Sequence, residues 1–457
     1  MAILYSSREY GILKEESSSA LQYLDHCLYY ESQFFAKCNE ESFVSGLSIY
    51  TSYNITDWSV EPYRTALLST LKHLDSLQDL RFSQIKVPVD KIFESLASLP
   101  LLQTIEIEAM GDQKIPTNIG LLTQVKSVSL GGYVQYGGLT GMIPTEIAQM
   151  DNLNYLSLNY NALTGMIPIE IGQMINLETL DLSSNLLSGN IPNEIGQLSK
   201  LKGLFLSENS LSGNIPPEIW KMVNLKVLQL SDNSLSGKIS TEIGQMVNLH
   251  SLGLSKNLLS GQIPSEIGLL VSILSESSTD HFRLDSNSLT GTIPTEIGLL
   301  KHPFHYGSTV DFSMNALNGI LPTELGELTS LWILRLQDNN FSGPIPTELG
   351  SMTELLILDI SGSSLTGPLP TKLGALTNLI NLDVHDNSLT GEIAEELGEM
   401  INMKELRLDG NLFSGVIPPE VCSLPDLRMY TSWDGIVADC DICPGGTAGE
   451  DKCCFKC

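Results

Sequence analysis

The sequence predicts an α/β repeat fold, a right-handed solenoid with a parallel β-sheet on its concave face and short 3-10 or α segments on its convex face. Three observations carry this. The pattern Leu177-x2-Leu180-x-Leu182-x2-Asn185-x-Leu187-x-Gly189-x-Ile191-Pro192 recurs from Leu201, Leu225, Leu249, Leu331, Leu355, Leu379 and Met403. Its asparagine falls at 161, 185, 209, 233, 257, 287, 315, 339, 387 and 411, with Ser363 taking the place once. The successive steps are therefore 24, 24, 24, 24, 30, 28, 24, 24, 24 and 24 residues. A fixed period of this length is the mark of stacked supersecondary units.

Within each period the Leu-x-Leu alternation predicts a short strand with one buried face. The asparagine follows the strand, where a tight bend leaves backbone groups without ladder partners that a side-chain amide can bond. A looser repeat precedes the regular ones at Val125-x2-Val128-x-Leu130, its asparagine displaced by an insertion over 131–138. Others lie at Leu102-x2-Ile105-x-Ile107, Leu77-x2-Leu80-x-Phe82 and Val44-x2-Leu47-x-Ile49.

The second half of the period carries a column of acids: Glu146, Glu170, Glu194, Glu218, Glu242, Glu266, Glu296, Glu324, Glu348, Glu396 and Glu420, broken by Lys372. A proline followed two positions later by an acid suits the start of a short convex helix. The rival reading is a calcium stripe, for which one carboxylate per repeat is a sparse ligand set.

The repeat with its LxGxIPxEIGxLxxL half resembles the plant-type leucine-rich repeat (LRR) of receptor-like kinases, receptor-like proteins and polygalacturonase inhibitors. The resemblance is strong from Leu121 to Leu427. It implies a receptor-like ectodomain without kinase that binds a protein, peptide or glycan on its concave face, with a membrane-anchored co-receptor as a further partner. The family's N-terminal Cys-Trp element is absent here. The Cys-dense tail, ADCDICPGGTAGEDKCCFKC, resembles those of microalgal LRR proteins.

The expected organisation is an N-terminal segment and cap over 1–58 and irregular repeats with convex helices over 59–120. The regular array covers 121–427 and a Cys-rich cap 428–457. Leu67, Leu71 and Leu74 stand at helical spacing within 60–77, as do Ile92, Phe93, Leu96 and Leu99 within 89–99. All eight cysteines sit at the ends: Cys27 and Cys38, then Cys422, Cys440, Cys443, Cys453, Cys454 and Cys457. They read most simply as disulfides in an oxidising compartment. The alternative is a zinc knuckle of Cys440, Cys443, Cys454 and Cys457. Asn54 and Asn340 begin N-x-S/T sequons, candidate glycosylation sites in a secreted chain. The 30- and 28-residue steps carry loops with His281, His302 and His305, a set that a transition metal would accept but that a plain loop explains more simply.

Twenty-five basic against 53 acidic residues give a formal charge of −28. That excludes a nucleic-acid partner, because phosphates need clustered Lys and Arg. No apolar run approaches the roughly 20 residues of a membrane helix, and no signal peptide stands at the start. The cysteines and sequons nevertheless point to an extracellular or cell-surface location reached through an upstream signal, with a cytoplasmic location as the alternative. No nucleotide-binding, metalloprotease, hydrolase or kinase motif is present, so we expect no enzyme and no cofactor.

The residue between the two strand leucines projects from the sheet. That column runs Ser157, Asp181, Phe205, Gln229, Gly253, Arg283, Asp311, Arg335, Asp359, Asp383, Arg407. Its later members stand beside Trp332, Ile333, Leu356, Ile357 and Ile380. Apolar residues mixed with Arg and Asp are the chemistry of a binding surface. The candidate ligand-binding residues are Trp332, Arg335, Leu356, Asp359, Asp383, Arg407 and Phe205; the alternative is that Asp359 and Asp383 satisfy Arg335 internally and leave only the apolar strip. The competing reading is a structural, cell-wall or ice-interacting repeat protein without a specific ligand, using its regular Thr/Ser and Glu columns.

Overall fold

A computed structural model of the protein describes residues 32–38, 44–51, 71–83, 89–108, 112–132, 138–273, 282–300, 308–425, 427 and 436–437. The chain divides into two compact units, Met1–Ser212 and Gly213–Cys457.

In the first unit the Leu-x-Leu segments form a parallel ladder as predicted. Val44–Thr51, Asp79–Ser83, Thr104–Glu108, Ser127–Ser129, Tyr155–Ser157, Thr179–Asp181 and Gly203–Phe205 pair in chain order. Leu47, Leu80, Ile105, Val128, Leu156, Leu180 and Leu204 thereby stack in one buried row, none more than 1% exposed. A strand the repeat pattern does not contain, Ser32–Cys38, pairs antiparallel with Val44–Thr51. It covers the backbone edge that a parallel ladder would otherwise leave open. The helix expected at 89–99 is observed as Val89–Leu96, burying Val89, Ile92, Phe93 and Leu96. Residues 60–70 of the other expected helix lie outside the described residues.

In the second unit the face strands are Val227–Gln229, Ser251–Gly253, Phe282–Arg283, Thr309–Asp311, Ile333–Arg335, Ile357–Asp359, Asn381–Asp383 and Glu405–Arg407, again parallel and in order. Ile436–Val437 adds to the last of them. The two long steps keep this register, because their extra residues fall between the 3-10 turn and the next strand.

Each unit also has a second parallel ladder, formed by the Leu-x-Gly half of the repeat. Asn340–Pro344, Ser364–Gly367 and Ser388–Glu392 are examples. The sequence reading placed only short helical segments in this half. Single 3-10 turns such as Thr323–Glu327 and Thr347–Ser351 do follow, each after an extended proline.

The asparagine bonds explain the period. Asn257 Nδ2 donates to the carbonyls of Leu230, Leu254 and Ser255 at 3.0–3.1 Å, and its Oδ1 accepts the Leu235 N–H at 2.9 Å. One amide so ties its own bend to the preceding coil, and the arrangement recurs at Asn185, Asn339 and Asn387. Where the residue before the asparagine is not glycine it still takes a left-handed φ of 50–58°, as at Tyr160, Met314 and Asp386. Its N–H reaches the next coil, as Asp232 does to the Ser255 carbonyl at 2.9 Å, which holds a conformation that costs about 1–2 kcal/mol in isolation.

The glycine after the Glu column has a different cause. A Cβ on Gly326 would lie 2.3 Å from the Glu348 carbonyl oxygen, so at this coil the adjacent turns stack too closely for a side chain.

Candidate functional site on the strand face

The strand face of the second unit brings six of the seven predicted binding residues together. Arg283, Asp311, Arg335, Asp359, Asp383 and Arg407 are Cα-paired in sequence, one per strand. Strands about 4.8 Å apart make this column a ladder of charges. Beside it Ile333 and Ile357 pair in register, followed by Asn381, and both isoleucines are half-buried. Trp332 and Leu356, also half-buried, lie at the strand entrance. The Leu356 N–H donates to the Trp332 carbonyl at 2.8 Å, and Ile380 repeats the contact onto Leu356.

Phe205, the seventh, belongs to the first unit, paired with Asp181. Its ring lies over Gly203, where a Cβ would come within 2.7 Å of it.

Four aspartates of the column share one local geometry. Asp181, Asp311 and Asp359 each accept, through Oδ1, the N–H and hydroxyl of the serine two residues on. The distances are 3.0–3.1 Å and 2.6 Å. In Asp383 the partner is His385, whose N–H lies at 3.1 Å and whose Nδ1 at 2.5 Å. This is the short side-chain-to-backbone bond that aspartate favours at strand ends.

The second oxygen distinguishes them. Asp181 Oδ2 accepts from Asn159 Nδ2 at 2.8 Å. Asp311 Oδ2 lies between Arg283 and Arg335, at 3.9 and 3.8 Å. Asp383 Oδ2 accepts from Arg407 at 3.1 Å. Asp359 Oδ2 has no hydrogen-bond donor and no cation within 4 Å among the described residues. The alternative pairing of Arg335 with Asp359 and Asp383 is therefore corrected. Arg335 turns back to Asp311, a carboxylate only 3% exposed whose burial makes a cationic neighbour more valuable.

Burial pushes the carboxyls of Asp311 and Asp359 above the ordinary aspartate range. Their serine bonds pull the other way, and the neighbouring acids, Asp285 and Asp383 respectively, add to the rise. Asp285 and His385 were not singled out in the sequence. Their place two residues after a column residue, as Arg283-x-Asp285 and Asp383-x-His385, was the signal that would have found them.

Of the other predicted residues, Asn340 is exposed at the start of its strand, as a glycosylated asparagine must be. Cys422 is half-buried at the end of the helix Pro419–Cys422. Cys38 closes the strand Ser32–Cys38. Asn54, Cys27, Cys440, Cys443, Cys453, Cys454, Cys457, His281, His302 and His305 lie outside the described residues. No helix among those described is long and apolar enough to cross a membrane.

Comparison with known proteins agrees with this architecture. Residues 138–274 match the family described as leucine-rich repeat region, and 330–352, 378–400 and 402–424 match the single leucine-rich repeat. The chain belongs to the leucine-rich repeat family. Among solved LRR structures, the plant peptide hormone receptor RGFR1, in complex with RGF2, is 32% identical with a TM-score of 0.60. The alignment covers 78% of this chain and 63% of that one, so the present LRR chain spans less than two thirds of that receptor structure. The Arabidopsis receptor kinase HAESA, solved with the peptide hormone IDA and a co-receptor, matches over 93% of this chain and 70% of its own. Its TM-score is 0.72 and its identity 24%, a likeness of fold. An LRR protein of Leptospira interrogans is 28% identical over 87% of this chain and 90% of its own, with a TM-score of 0.63. No curated protein sequence matches the LRR chain.

Proposed function

We propose that this LRR chain is a non-catalytic recognition module of the cell surface, receptor-like, that binds a peptide or protein on the strand face of its second unit. The observation that carries the reading is the join of a half-buried apolar strip, Trp332, Ile333, Leu356 and Ile357, to a column of Arg and Asp in register. Mixed apolar and charged side chains on a rigid sheet give a binding surface both area and orientation. The plant receptors RGFR1 and HAESA, whose structures contain peptide hormones, support a peptide-sized ligand. A glycan is the other ligand class that this face would admit, and a co-receptor the further partner. We assign the disulfides, carbohydrate at Asn54 and Asn340 and the extracytoplasmic location to the same reading. The cysteines confined to the chain's two ends and the exposure of Asn340 support them.

The regular hydroxyls of the second ladder have an internal use. Thr290 and Ser260 donate to the Gly261 and Gly237 carbonyls of the preceding coil at 3.3 and 3.4 Å. Their regularity needs no external lattice.

The test is binding of a panel of peptides, extracellular protein domains and oligosaccharides to the immobilised chain, repeated with Trp332→Ala and Arg335→Ala. A loss of about 2 kcal/mol or more in either folded variant is expected for residues at the centre of an interface. Unchanged affinity in both, with loss on Phe205→Ala instead, would move the site to the first unit.

A further inference from the structure

The second oxygen of Asp359 defines the kind of ligand this face selects, an inference that rests on the strand-face reading above. We propose that Asp359 Oδ2 receives the ammonium or guanidinium of a lysine or arginine in a bound extended peptide, whose neighbouring aliphatic side chain lies on Ile333 and Ile357. Three observations converge on this atom. The other aspartates built on the same turn have their second oxygen occupied, by Asn159, by Arg283 with Arg335, and by Arg407. Asp359 has its first oxygen saturated by Ser361 and its second open among the described residues. Both flanking arginines are engaged elsewhere, Arg335 with Asp311 and Arg407 with Asp383.

The ladder therefore reads Arg, Asp, Arg, Asp, Asp, Arg, with one cation missing at the step from Asp359 to Asp383. A ligand that supplies it completes the alternation. An anionic group would instead meet two carboxylates on adjacent strands, a repulsion with little water to screen it. A divalent metal would find one open carboxylate oxygen, since both oxygens of Asp383 are already bonded, and hard cations require about six. A single ammonium or guanidinium needs one such oxygen. The half-buried isoleucine pair beside the column supplies apolar area for the residue next to the cation, so a basic residue adjoining an aliphatic one is the motif selected.

The probe is a displayed library of random linear peptides, selected on the wild-type chain, with the enriched sequences resynthesised. Peptides carrying Lys or Arg beside an aliphatic residue are expected. Replacing that basic residue by Ala and changing Asp359→Asn should each weaken binding roughly tenfold, with no further loss when both are made. Glu348→Gln, the same loss of charge on the 3-10 side, should leave binding unchanged, and thermal melting confirms that each variant is folded. Peptides that lose binding on Trp332→Ala but not on Asp359→Asn would overturn the cation contact while leaving the face in place. An acidic consensus would do the same. Peptides indifferent to both changes, or no enriched sequence at all, would overturn the contact and the strand-face reading together.

Discussion

Asp359 and Asp383 stand opposite each other on neighbouring strands, Cα-paired in register, and only Asp383 has an arginine. The carboxyl of Asp359 is held above its ordinary range by burial, and the charge of Asp383 adds to the rise. A raised folded-state value means that the folded chain holds its proton to higher pH than the unfolded chain. Stability from this group therefore falls as pH rises from the unfolded value to the raised one. Asp359→Asn removes that penalty while keeping an oxygen for Ser361. Calorimetry should show the variant melting at or above wild type at pH 7, with the difference shrinking when pH falls below the usual carboxylate range. A variant equally weakened at both pH values would contradict this.

The Arg407 pair should be worth more than that of Arg335. Arg407 holds Asp383 at 3.1 Å and is 25% exposed, whereas Arg335 stands 3.8 Å from an Asp311 it shares with Arg283. Arg407→Ala is expected to cost about 1–2 kcal/mol and Arg335→Ala less than about 1. Chemical denaturation of the two variants gives the order, and the reverse order would refute the assignment of partners.

Asn257→Ala should cost roughly 3 kcal/mol, because it strips three carbonyls and one N–H of their partner in a buried bend,. The reciprocal experiment is Ser363→Asn. The Ser363 hydroxyl donates to the Asn339 carbonyl, where an asparagine could make several such bonds, and an asparagine there should raise stability by about 1 kcal/mol. A loss of stability in Ser363→Asn would show that this bend does not follow the others.

Leu204→Asp places a charge in a row of fully buried leucines, and a loss of roughly 4 kcal/mol or more is expected. Wild-type melting behaviour would be incompatible with the stacked core.

Thiol titration of the denatured, unreduced protein bears on compartment. Few free thiols among the eight cysteines are expected for disulfide-stapled ends. Eight reactive thiols, or four released only by a chelator, would favour a cytosolic or zinc-bound chain.

The strand face was legible in the sequence because the Leu-x-Leu alternation and the asparagine both answer to local geometry. The positions of Leu180, Leu182 and Asn185 do the same work throughout the regular array, Ser363 excepted. The second ladder was not legible, since Leu186–Asn190 has one buried leucine, Leu187, and no alternation long enough to signal a strand. The antiparallel strand Ser32–Cys38 lies outside any repeat. The column of site residues could be written down from spacing, but the direction in which each side chain pairs could not. Arg335 has acids on both sides, and the choice of Asp311 depends on how deeply that carboxylate is buried.

Because each coil repeats the same core, the charge sequence of the face can be rewritten without repacking the interior. Excising one 24-residue period, Leu336–Asp359, would join Arg335 to Ile360, which occupies the same buried row as Leu336. Arg335 would then neighbour Asp383, and the column would alternate strictly in sign. Gain or loss of a single period is thus a route by which a lineage of such chains would trade one ligand preference for another, with the scaffold indifferent to the exchange.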